Sequence, residues 1–170
     1  MHNRTPRIAE AEFTDELASV VSGARRRASR GGDRHVDTAH LLHSLIESDF
    51  QVREAFGDGA RLARVLGYLV QRSIGYGLRW QGAVEDSGAL PVSGEPDEDG
   101  WSPSAAAAME DARSCAAQRG EPRVGCLDLL AALAADRECR AVDVLARAGV
   151  DTGWLADRTA DRIAGSSRQV

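Results

Sequence analysis

Residues 13–46 read FTDELASVVSGARRRASRGGDRHVDTAHLLHSLI, and residues 101–134 read WSPSAAAAMEDARSCAAQRGEPRVGCLDLLAALA. The two stretches align without a gap at a shift of 88 residues. Phe13-Thr14 meets Trp101-Ser102, Ala24-Arg25 meets Ala112-Arg113, Gly32 meets Gly120, Val36 meets Val124, and Leu41-Leu42 meets Leu129-Leu130. A match that keeps helix caps, helix faces and glycine stops together is the signature of an internal duplication.

Each copy reads as four helices. Thr14 is placed to cap the first, with Asp15 and Glu16 in the first turn, where the helix dipole favours anions. Leu17, Val20, Val21, Ala24 and Ala28 then mark one face at helical spacing, and Gly31-Gly32 closes the helix. In the second copy Ser102 caps, Pro103 sits at the first helical position, and Ala105, Ala108, Met109, Ala112 and Ala116 form the stripe. Thr38 is expected to cap a second helix through Leu41, Leu42, Leu45 and Ile46, and its twin to begin at Cys126, a poor cap. Short third helices stop at Gly57 and Gly149, and fourth helices carry Leu62, Leu66, Leu69 and Val70 in one copy, Trp154, Leu155 and Ile163 in the other.

The expected organisation is a flexible tail over 1–12, a first copy over 13–72, an acidic Gly/Pro-rich loop over 73–100, a second copy over 101–164 and a short tail over 165–170. Glu95-Pro96-Asp97-Glu98-Asp99-Gly100 has no apolar face and is expected to be mobile. One copy alone buries too little apolar surface to stand by itself. The fold class expected is therefore all-α, with both copies packed as one pseudo-two-fold domain.

Composition agrees. The 170 residues are 43% hydrophobic and only 5% aromatic, which favours Ala- and Leu-rich helix packing over strands. A net charge of −5 argues against a general nucleic-acid binder. Every basic side chain is Arg, with no Lys, as GC-rich coding tends to give. Cys115, Cys126 and Cys139 form no C-x-x-C pair, and no apolar run approaches membrane-spanning length. No membrane partner is expected, and the location expected is the cytoplasm.

The pattern F-T, a helix ending at Gly, a turn V-x-T-x-H-L-L into a second helix, a short helix ending in Gly, then the whole again, resembles the N-terminal repeat domain of the Clp AAA+ unfoldases. Phe13-Thr14, Val36, Thr38-Ala39-His40-Leu41-Leu42 and Phe56-Gly57 carry the likeness in copy one. Trp101-Ser102-Pro103, Val124-Gly125, Leu129-Leu130 and Leu145 through Gly149-Val150 carry it in copy two. The resemblance implies a module that receives substrates, peptides or adaptor proteins near the starts of the long helices, here Phe13, Thr14, Trp101 and Ser102. It also implies that cyclic-peptide antibiotics are a ligand class. Phe13 reads as core; Trp101, behind the acidic loop, reads equally as core or as partner anchor.

In Gram-positive unfoldases of that family a Glu follows the capping Thr in each copy and grips phosphoarginine. The matching positions are Ala39 and Leu127, so that recognition is expected to be lost, and restoring both acids is expected to bring it back. The chain has no G-x-x-x-x-G-K-[ST] phosphate loop, so a free-standing, non-enzymatic module is expected, acting as adaptor or decoy, or as a sequestering protein for Clp-directed ligands.

Other chemistry is weaker. His35, Asp37, His40 and His43 have partial metal spacing, but a structural His near a helix start is the plainer reading, and neither metal nor cofactor is expected. Cys126, His40 and Asp128 have nucleophile, base and orienter types, yet the repeat places His40 and Asp128 at equivalent positions of different copies. Arg25, Arg26, Arg27 and Arg30, with Arg34, form the one dense basic patch. It reads as a solvated face, or as a surface for phosphate or an acidic partner.

Overall fold

The computed structural model describes residues 12–73, 85 and 100–168. The tail up to residue 11, the mobility expected of the 95–99 stretch and the last two residues lie outside them. Among the described residues there are eight helices: α1 (Asp15–Arg30), α2 (Thr38–Ser48), α3 (Phe50–Ala55), α4 (Gly59–Ser73), α5 (Pro103–Gln118), α6 (Cys126–Ala135), α7 (Arg140–Arg147) and α8 (Thr152–Ser167). The fold is all-α. Among the described residues the extended pairing amounts to two isolated parallel bridges, Phe13 with Val124 and Val36 with Trp101. The 88-residue shift carries one bridge onto the other.

The predicted caps form locally. Leu17 N–H donates to Thr14 Oγ1 at 3.2 Å, and Ala105 N–H donates to Ser102 Oγ at 3.1 Å ahead of Pro103. Gly32 and Gly120 follow the first helix of each copy with φ of +70° and +75°, the left-handed region where glycine lacks the Cβ clash.

One cap differs from the expectation. Asp37, not Thr38, is the N-cap of α2: its carboxylate accepts from His40 N–H at 2.9 Å, and its own N–H donates to His40 Nδ1 at 3.0 Å. An Asp carboxylate accepts strongly and leaves Thr38 as the first helical residue, its amide and hydroxyl turned to other work. In copy two Gly125 N–H donates to the Asp128 carboxylate at 2.9 Å. His40 and Asp128, 88 residues apart, thus do one job: each side chain ties down the amide that precedes its helix.

α2 and α6 lie at the centre, with α1 laid on α2 and α5 and α8 on α6. Phe56, Leu17, Leu41, Leu42, Leu45, Leu129, Leu130, Leu133 and Leu145 are fully buried in one shared core. The fourth helices cross over. α4 packs on its own α2 and on α7 of the other copy, while α8 packs on its own α6 and on α3 of the other copy. Each crossing is pinned by an arginine on the receiving helix's last carbonyls. Arg64 Nε donates to Ala148 O at 2.9 Å, and Arg158 donates to Ala55 O at 2.8 Å and Glu54 O at 3.1 Å. Ala148 O and Ala55 O stand at helix ends, beyond the reach of intrahelical donors, while Glu54 O also accepts from Gly57 N–H at 3.1 Å.

The α4 stripe also shifts. Val65 and Leu69 are buried and Leu62 and Leu66 pack against the core, but Val70, expected on that face, is 49% exposed. Residues 69 and 70 diverge by about 100° around a helix, so both cannot face one core.

Candidate functional site

Each bridge marks a seam where the two copies meet. At the first, Thr14 N–H donates to Val124 O at 3.0 Å and Val124 N–H to Glu12 O at 2.7 Å; at the second, Ser102 N–H donates to Val36 O and Val36 N–H to Gly100 O, both at 2.8 Å. Each seam gathers a capping hydroxyl, the start of a second helix from the other copy, and the start of a third helix.

The first seam is open. A cleft of about 350 Å³ is lined by Thr14, Glu16, Asp49, Gln51, Arg119, Glu121, Arg123, Cys126, Leu127, Asp128 and Ile163 among others. Asp128 is buried and paired with Arg119 at 2.6 Å. The Cys126 thiol is buried beside the Asp49 carboxylate, and burial first, then that charge, push its pKa far above the ordinary range. Such a shift favours the protonated thiol over the thiolate.

The second seam is filled by the chain itself. Glu85, 5% exposed, enters with its carboxylate among four donors from three helix starts. Thr38 N–H donates to Oε1 at 2.8 Å, Ser102 Oγ donates to Oε1 at 2.9 Å, Arg140 N–H donates to Oε2 at 2.6 Å, and the Thr38 hydroxyl donates to Oε2. Thr38 Oγ1 in turn accepts from Ala141 N–H at 3.0 Å. Beside this carboxylate Asp37 holds Arg140 at 3.0 Å and also pairs with Arg72. Burial, then the Asp37 charge, raise the Glu85 pKa against the lowering effect of hydrogen bonds from Thr38 and Arg140. For Asp37 burial also raises, but the hydrogen bonds with His40 and the charge of Arg72 outweigh it and hold the carboxyl well below the usual range.

The expected contact residues fall on both seams. Thr14 lines the open cleft, with Phe13 buried beneath it at 6% exposure. Trp101 is also 6% exposed and Ser102 is fully buried, so of the two readings of Trp101 the burial matches core: the bridge to Val36 draws the ring inward. Ala39 is fully buried at the filled seam, whereas Leu127 is half-buried at the open one. The arginine patch divides. Arg25 lies over the Trp101 ring at 5.5 Å, Arg27 pairs with Glu47 and approaches His43 at 3.2 Å, and Arg26 and Arg30 are exposed.

His40 does not meet Cys126. Its Nδ1 accepts from Asp37, and its Nε2 lies 2.8 Å from Asp33 Oδ2. Among the described residues no cluster of three or more His, Cys, Asp or Glu side chains is set to hold a metal, and no helix is long and apolar enough to cross a membrane.

No family model matches this sequence, nor does any curated protein. Solved structures do. The N-terminal domain of the caseinolytic protease-associated chaperone ClpD from Arabidopsis thaliana superposes over 93% of this chain and 98% of its own, with a TM-score of 0.60 at 19% identity. The Hsp104 N-terminal domain from Candida albicans gives 0.62 at 17% identity over 87% and 89% of the two chains. The chain has the Clp N-terminal-domain fold. A structure from a malarial protein secretion system shares it, with a TM-score of 0.61 at 13% identity over 89% and 94%. In this chain a carboxylate of its own, Glu85, is lodged at one of the two equivalent seams.

Proposed function

We propose that this Clp N-domain-like chain is a non-enzymatic module that binds a protein or peptide, and that its site is the open first seam. The observation that carries the reading is the inequality of the two seams. Thr14, Cys126 and Phe50 stand where Ser102, Thr38 and Arg140 stand at the other, and among the described residues the Thr14 hydroxyl and the Cys126 and Phe50 amides donate no hydrogen bond. The cleft beside them is large enough for one or two side chains of a bound segment. Glu16, Asp49, Glu121 and Asp128 outnumber Arg119 and Arg123 in its walls, which favours a basic or zwitterionic segment over an acidic one. The fold supports a Clp unfoldase, its substrates or its adaptors as partners, and with them an adaptor or decoy role in the cytoplasm.

The test is surface-immobilised protein titrated with a purified Clp unfoldase and with an unfolded model substrate. Saturable binding that Leu127→Arg at the cleft weakens by tenfold or more, about 1.4 kcal/mol, is expected. Binding untouched by that change, or no binding to either analyte, would remove the cleft from consideration.

A further inference from the structure

The filled seam is built for a carboxylate. Two hydroxyls, on Thr38 and Ser102, are both fully buried, and two amides, of Thr38 and Arg140, open α2 and α7. They come from three different helices and converge on the two oxygens of one side chain, two donors to each. The basic side chains beside it, Arg72 and Arg140, are already engaged by Asp37. What remains for an occupant is a set of neutral donors spaced for a planar, two-oxygen anion. The four donors serve two oxygens, two to each. The Asp37 charge beside them opposes further negative charge.

We propose that this socket is a carboxylate-recognition site that Glu85 occupies in cis, and that an acidic side chain of a partner peptide takes the same four donors when Glu85 leaves. This deepens the peptide-binding reading and rests on it for the partner. The chain then carries two unlike sites on one duplicated frame: an open cleft, and a self-occupied socket where an incoming acid competes with a tethered one. Competition with a tethered group lowers apparent affinity by the fraction of time the socket is empty.

The experiment is chemical rescue of Glu85→Ala. The variant leaves buried donors without an acceptor, and its melting temperature is expected to fall by on the order of 10 °C. Acetate at millimolar concentration should restore part of that loss relative to chloride, and should leave the parent protein unchanged. The blocked peptide acetyl-Ala-Glu-Ala-amide should bind the variant at least tenfold more tightly than it binds the parent, and the Gln version of the peptide should not. If Glu85→Ala does not fold, Glu85→Gln, which keeps one acceptor oxygen, serves the peptide comparison with the same expected order. Equal stabilisation of parent and variant by acetate would overturn the proposal. So would stronger rescue by phosphate than by acetate, or a folded variant that binds neither acetate nor the Glu peptide. The acetate result reports on the socket whether or not any unfoldase binds the cleft, so the two readings fail separately.

Discussion

Asp37 and Glu85 are buried carboxylates at one seam whose surroundings push their protonation in opposite directions. The folded-state pKa of Asp37 lies below its ordinary 3.8, so the stability it supplies is whole above that pH and is lost as pH falls through the folded value. That of Glu85 lies above its ordinary 4.5, so ionising it costs the fold stability as pH rises from there through the raised value. Urea unfolding across the acid range should therefore show Asp37→Asn flattening the low-pH decline and Glu85→Gln removing the loss above 4.5. A parallel, pH-independent offset in both variants would contradict this assignment. Trp101 belongs at the same scale. Buried against Val36 with Arg25 over its face, it should cost about 3–5 kcal/mol when truncated to Ala, as core aromatics do. A loss below about 1 kcal/mol would return it to the surface. The lost acidic positions also separate. Leu127→Glu, in the cleft, should be tolerated and gain on the order of 1–3 kcal/mol for a guanidinium ligand, read by calorimetry. Ala39→Glu would bury an unpaired charge and should destabilise the fold, so restoring both acids together is not the productive change.

Among elements, the crossed fourth helices carry a testable bond. Arg158 donates to two terminal carbonyls of α3 and lies 5.1 Å from the centre of the Trp154 ring, which Arg61 also meets at 4.3 Å. Arg158→Ala should cost about 2 kcal/mol, and Arg158→Lys should recover less than half, because a single ammonium cannot reach both carbonyls and lie flat on indole. Full recovery by Lys would show that charge alone matters. Sequence made the helices legible because their signals are local: Thr14 and Ser102 before their stripes, Gly32 and Gly120 after them. It could not reveal Arg64 or Arg158 as cross-copy caps, since their partners lie 84 and 103 residues away and an exposed arginine looks the same with or without them. Glu85 was hidden more deeply. It lies in a stretch read as an acidic Gly/Pro loop, and its partners are 17, 47 and 55 residues distant. The available hint was the pair Thr38 and Ser102, hydroxyls at two helix starts that the repeat brings to the same seam.

At the level of the molecule, the shared core and the crossing of α4 and α8 leave neither half a complete interior. Thermal and urea unfolding, followed by helical circular dichroism and by tryptophan fluorescence, should coincide in one transition. Two separated steps would mean that a half stands alone. With no phosphate-loop motif in these residues, the protein should also show no saturable ATP binding in a fluorescence titration. The crossing has one more consequence. Because α4 rests on α7 and α8 on α3, each half grips the other like the two parts of a buckle. A single engineered cut within residues 74–84 would leave Glu85 on the second piece with its docking place on both. The nicked protein should stay assembled at ordinary concentrations, yet reassemble after denaturation at a rate that scales with how much of each piece is present, turning a first-order folding reaction into a second-order one.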